Sequence, residues 1–91
     1  MMWMGEVGIV YKILPENVEL DVNDLSKRIE DEIKGICKVK GVQIKPIAFG
    51  LNAILMFISV KDESGASDKV EEKIKNVKGV GEIEVEEMSL L

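Results

Sequence analysis

The sequence predicts an α+β domain in which four strands and two helices follow the order strand, helix, strand, strand, helix, strand. Three observations predict it. Apolar residues recur at every second position in some segments and at every third or fourth in others, the periods of a half-buried strand and of a helix with one apolar stripe. Pro and Gly residues punctuate the boundaries between those segments. Each half also carries a similar joint, Ile33-Lys34-Gly35-Ile36 and Val77-Lys78-Gly79-Val80, as a duplicated strand-helix-strand unit would.

The first strand spans residues 5–14, where Val7, Ile9 and Ile13 alternate with Glu6, Gly8 and Lys12, and Pro15 ends it. A connection over 15–20 leads to Asp21, which with Asp24 resembles a helix start where carboxylates meet unpaired backbone N–H groups. Val22, Leu25, Ile29 and Ile33 make the stripe, Lys27, Arg28, Glu30, Asp31 and Lys34 the wet side, and Gly35 the stop. Residues 36–45 form a second strand whose Lys38, Lys40 and Lys45 suit a sheet edge and whose Gly41 marks a bulge or bend. From Leu51 to Val60 nearly every residue is apolar, as in a central strand covered more fully than its neighbours. After a polar loop at 61–64, Ser67 or Asp68 opens the second helix, with Val70, Ile74 and Val77 as its stripe and a Glu71–Lys75 pair in support. Gly79 closes it, and in the last strand Ile83, Val85 and Met88 face the core against Glu82, Glu84 and Glu86. Right-handed crossovers place both helices on one face of a four-stranded antiparallel sheet, the ferredoxin-like βαββαβ sandwich.

With 91 residues the chain is expected to form one domain over 1–91 and a monomer. Its net charge of −5 argues against holding a phosphate backbone, so no nucleic acid is expected as a direct partner. The absence of His removes the commonest general base and metal ligand. Cys37 has no second Cys to pair with, which fits a reducing cytoplasm and a small core side chain better than a metal ligand. No apolar run has the length of a signal or a membrane span. Gly79-Val80-Gly81 leads into a strand, whereas a phosphate-cradling loop leads into a helix. The sole Arg28 sits mid-helix among charges and reads as solvated. No catalytic group, cofactor or metal is expected, and an enzyme is disfavoured.

One segment departs from the polar loop expected between strands: Lys45-Pro46-Ile47-Ala48-Phe49-Gly50-Leu51. It sets a bulky Phe between a Pro that stiffens the backbone and a Gly that permits a sharp turn. Phe49 is either tucked into the core, which composition alone favours, or presented as a rigid anchor for another protein.

Met4-Gly5-Glu6-Val7, Pro46-Ile47-Ala48-Phe49-Gly50-Leu51, and Gly79-Val80 with Ile83-Glu84-Val85 resemble the archaeal translation elongation factor 1-beta family, over essentially the whole chain from Met4. The central hexapeptide is the most specific piece. The resemblance implies a guanine nucleotide exchange factor for the GTPase elongation factor 1-alpha, one that wedges into the GTPase, disturbs its magnesium and phosphate site and lets GDP leave. It implies partner-binding roles for Pro46, Ile47, Ala48, Phe49 and Gly50, with Phe49 the wedge, and for Leu90 and Leu91 at the C-terminal end. Eukaryotic relatives end in a basic and then an apolar residue; here Leu90 and Leu91 stand in those places, so a terminal Lys is not available. Exchange then rests on Phe49, on neighbouring loop backbone or on the terminal carboxylate. The competing reading is a regulatory module of the same fold that binds a small effector or associates with another protein.

Overall fold

A computed structural model describes residues 5–61 and 65–90. Met1 to Met4, residues 62–64 of the polar loop, and Leu91 lie outside that set.

The elements are β1 (Glu6–Pro15), α1 (Val22–Ile33), β2 (Lys38–Pro46), β3 (Asn52–Lys61), α2 (Ala66–Lys75) and β4 (Val80–Leu90). The strands form one sheet in the order β2-β3-β1-β4, every neighbouring pair antiparallel. Both helices cover one face. Ile9, Tyr11 and Ile13 from β1 and Ile54, Met56 and Ile58 from β3 meet Leu25, Ile29 and Ile33 of α1 and Val70 and Ile74 of α2, all at most 1% exposed. Burying each such side chain contributes roughly 1.5–3 kcal/mol before ordering costs, so this cluster is the source of stability.

Local chemistry explains most boundaries. Asp21 caps α1, its carboxylate accepting from the N–H groups of Asn23 and Asp24. At the other end α1 stops just before Gly35, as expected, but not through a left-handed glycine. Gly35 has no left-handed backbone; the chain turns out of α1 through N–H groups of Lys34, Ile36 and Cys37 that donate to the carbonyls of Glu30 and Ile33. The two similar joints therefore differ in three dimensions: Lys34 is the C-cap of α1, whereas α2 is capped at Asn76 and Gly79 lies beyond it with φ 106°. The start of α2 also differs from the expectation. Gly65 holds the cap position at φ 81°, and Ser67 and Asp68 fall inside the first turn, where Asp68 faces the positive end of the helix dipole.

β2 begins at Lys38 because the turn after α1 consumes Ile36 and Cys37. The expected bulge is present: the register slips between Val39 and Gly41, leaving Lys40 unmatched. In β4 the alternation breaks, since a second slip sets Val10 against Glu87 but Tyr11 against Val85 and leaves Glu86 extra. Val85 and Met88, expected in the core, are 45% and 52% exposed because they lie on an edge strand beyond the cover of the helices. Arg28 is not a free surface charge. Its Nη1 donates to the Lys78 carbonyl at 2.9 Å, and its Nε lies 3.2 Å from Asp24 Oδ2, so α1 is latched to the α2–β4 joint.

Gly81 permits a close approach: a Cβ there would meet the Pro15 carbonyl oxygen at 2.9 Å, where β4 starts beside the end of β1. Cys37 packs against the core and its Sγ donates to the Ile33 carbonyl at 3.4 Å. Burial pushes its thiol up to about 11, so it stays protonated and unreactive near neutral pH. No helix among the described residues is long and apolar enough to cross a membrane.

Candidate functional site

Between β2 and β3 the chain must reverse within residues 47–51, flanked by the pair Pro46 and Asn52. Pro46 is tolerated because β2 is an edge strand. Ile47 is still extended, at φ −124° and ψ −168°, and a tight turn follows over Ala48–Gly50. Two hydrogen bonds close the loop, Ile47 N–H to the Leu51 carbonyl at 2.8 Å and Leu51 N–H to the Ala48 carbonyl at 3.3 Å. Those bonds require two successive left-handed residues. Gly50 takes φ 77° without cost, but Phe49 takes φ 62° and ψ 30°, a conformation with a steric penalty of roughly 1–2 kcal/mol for a side chain bearing a Cβ.

The penalty is not offset by burial. Phe49 is 94% exposed, the most exposed of the large apolar side chains among the described residues. Composition favoured a tucked Phe; the loop instead holds the ring out into solvent on a backbone closed at both ends. Ala48 and Gly50 are exposed beside it, and Ile47 is half-buried at the base. A rigid, strained and solvated aromatic is the arrangement in which a protein anchor is already ordered before its partner arrives.

Leu90 is at the opposite end of the sheet. It pairs with Val7, which pairs with Val60 near the end of β3, whereas the Phe49 loop precedes Asn52 at the start of β3. Eight residues of strand separate Asn52 from Val60, about 26 Å at the usual strand rise. Leu90 is 74% exposed, so the loop residues Pro46 to Gly50 form one group and Leu90 a second, distant one; Leu91 lies outside the described residues.

The sequence reading missed a third feature, the sheet face turned away from the helices. Ala53, Leu55, Phe57 and Ser59 alternate with the core residues of β3 and so lie on that face, where Phe57 is 46% exposed. β3 is central, but only its helix side is covered by another layer. An apolar run with residues of both faces apolar gives no periodic signal, which is why the open face was not legible. Among the described residues no group of three or more His, Cys, Asp or Glu side chains is placed to hold a metal.

Residues 8–91 match the family model for the EF-1 guanine nucleotide exchange domain. The chain is similar to "Elongation factor 1-beta" of Thermoplasma volcanium, 34% identical over 88 residues that cover 97% of this chain and 100% of the relative. It is 39% identical to "Elongation factor 1-beta" of Methanococcoides burtonii over 85 residues, 93% of this chain and 96% of that one. Among solved structures, the ACT domain from the GTP pyrophosphokinase of Chlorobium tepidum superposes with a TM-score of 0.63 over 88% of this chain and 97% of its own, at 15% identity. That likeness concerns the fold alone.

Proposed function

The chain belongs to the EF-1 guanine nucleotide exchange domain family, and from that premise we propose that it speeds GDP release from elongation factor 1-alpha by docking the Pro46–Gly50 loop, with Phe49 as the anchor. The observation that carries the residue assignment is the ring of Phe49, 94% exposed on a left-handed backbone at φ 62°. A free protein gains nothing from holding an apolar ring there; a complex gains the burial of the ring without first having to order it.

The mechanism needs binding energy and no bond chemistry. Exchange follows when the factor binds the nucleotide-free GTPase more tightly than the GDP-bound one, and the two ligands then weaken each other by the same factor. Wedging Phe49 into the GTPase so that its magnesium and phosphate site is disturbed supplies that coupling. Pro46 and Gly50 fix the loop, Ile47 and Ala48 flank the ring, and Leu90 makes a second contact at the far end of the sheet. Leu90 is apolar, so no side-chain cation from this position enters the magnesium site. The protein acts as an exchange factor without catalytic chemistry of its own, in the cytoplasm where elongation takes place.

Binding tests the assignment. Phe49→Ala should weaken association with GDP-bound elongation factor 1-alpha, measured by calorimetry, by about 2 kcal/mol or more, as for a central anchor removed. Equal affinity for parent and variant would remove Phe49 from the interface.

A further inference from the structure

Resting on that reading, we infer that Ile47 is a positioning residue: its side chain seats the Phe49 loop on the open face of the sheet, holds the ring in its displayed left-handed pose, and so acts on exchange through Phe49. Ala53 supplies the first observation. It is 0% exposed, although it lies on the face turned away from the helices and outside the core cluster beneath them. Something on the open face therefore seals it. Ile47 shares with Ala53, Val10 and Leu55 a groove of about 120 Å³, whose remaining lining among the described residues is the charged Lys12, Lys45 and Glu86. Ile47 is thus the one apolar side chain that the loop lays on that floor, and it is half-buried where Ala48, Phe49 and Gly50 after it are exposed.

The tip needs such a seat because it does not hold its own conformation. The left-handed Phe49 carries a steric penalty, and a residue of that kind persists only where its surroundings over-determine it. The two hydrogen bonds that close residues 47–51 belong to a loop whose tip is exposed, where water competes for both, and the second is long at 3.3 Å. They close the loop on itself, and neither fixes how it leans against the sheet. Ile47 does. Its branched Cβ leaves few χ1 rotamers, its backbone is extended at φ −124°, and its N–H donates the 2.8 Å bond to the Leu51 carbonyl. A side chain held over Ala53, Val10 and Leu55 therefore fixes the start of the turn two residues before the ring, and the apolar area it buries offsets the strain at Phe49.

The test uses the full chain and the variants Ile47→Thr and Ile47→Val. Both keep a branched Cβ, but Thr puts a hydroxyl on the apolar floor and Val does not. A thermal melt of each checks that folding is intact. On the free protein, amide relaxation by NMR should give Phe49 and Gly50 order parameters of about 0.85 in the parent and in Ile47→Val, and below about 0.6 in Ile47→Thr, with β1 and β3 unchanged. A second substitution reads the strain. With Ile47 in place, Phe49→Gly melts at or above Phe49→Ala; in the Ile47→Thr background the order should reverse, because a released residue has no left-handed strain to relieve and Gly then only loosens the unfolded chain. In GDP release from elongation factor 1-alpha, Ile47→Thr should raise the factor concentration for half-maximal rate at least about threefold with the maximal rate unchanged, since an unseated loop is competent for only part of the time, and Ile47→Val should follow the parent. Order parameters, a Gly and Ala order, or a half-maximal concentration that stays as in the parent would each overturn the inference. A lowered maximal rate with an ordered loop would put Ile47 against the GTPase and overturn it as well. If instead Phe49→Ala releases GDP like the parent, the proposed function falls, and the two measurements on the free protein still decide whether Ile47 seats the loop.

Discussion

Replacing Phe49 by Gly and by Ala separates a strained, presented aromatic from a packed one. A core Phe cut to Ala costs about 3–5 kcal/mol, because burial is lost and a cavity remains. Phe49 is 94% exposed and leaves no cavity, so the Ala variant should lose at most about 0.5 kcal/mol. Ala keeps the φ 62° penalty, since that penalty comes from Cβ. Gly removes it, a gain of roughly 1–2 kcal/mol, and gives back about 0.4–1 kcal/mol through the greater freedom of the unfolded chain. The Gly variant should therefore be as stable as the parent or more stable by up to about 1 kcal/mol, which for a domain of this size raises the melting temperature by up to about 8 °C. Thermal and urea unfolding of the three proteins, followed by far-ultraviolet circular dichroism, give the comparison. A Gly variant clearly less stable than the Ala variant would refute the claim that Phe49 is held in a strained conformation. An Ala variant losing about 3 kcal/mol would return the ring to the core.

Further perturbations follow from the same structure. Gly81→Ala drives a Cβ to 2.9 Å from the Pro15 carbonyl oxygen, a backbone atom that cannot rotate away, and should cost about 1–3 kcal/mol in urea unfolding. Arg28→Ala removes the 2.9 Å bond to the Lys78 carbonyl and should cost about 1 kcal/mol, the partial exposure of the guanidinium holding the loss down. Alkaline pH should weaken the fold: burial raises the Cys37 thiol to about 11, and burial followed by the neighbouring Glu71 carboxylate raises the Tyr11 phenol, so both groups hold their protons longer folded than unfolded. Their stabilisation is complete below pH 9 and declines as pH climbs from 9 toward 11 and beyond; urea midpoints should fall across that window, and less steeply in Cys37→Ala. Leu90→Ala, at a side chain 74% exposed, should melt with the parent and keep more than about a tenth of its exchange activity, a threshold of some 1.4 kcal/mol in transition-state terms.

The order of elements was legible because β1, α1 and α2 have a clean apolar period and because Asp21 announces the start of α1. The start of α2 was misread for a local reason. Ser67 and Asp68 are residue types that cap helices, but Gly65 reaches the required turn through a backbone conformation that needs no side chain. The exposure of Val85 and Met88 depends on how far the helices reach across the sheet, and no local pattern encodes that distance. Arg28 looked solvated because its partner is the carbonyl of Lys78, remote in sequence and invisible as a residue type. At the site, Pro46 and Gly50 signalled a stiff turn around Phe49, while composition pointed the ring inward. Its outward display follows from the two hydrogen bonds that close residues 47–51 and force Phe49 left-handed. The open face that carries Leu55 and Phe57 was hidden because β3 is apolar on both sides.

The central claim is that the exposed ring of Phe49 drives exchange, and the release rate of a fluorescent GDP from elongation factor 1-alpha tests it most directly. Release should be followed by stopped flow at saturating factor, with the parent and with a Phe49→Ala protein shown by its melting curve to be folded. The account predicts that the parent accelerates release severalfold or more over the spontaneous rate and that the variant leaves it near that rate. A folded Phe49→Ala protein that releases GDP as fast as the parent would contradict it.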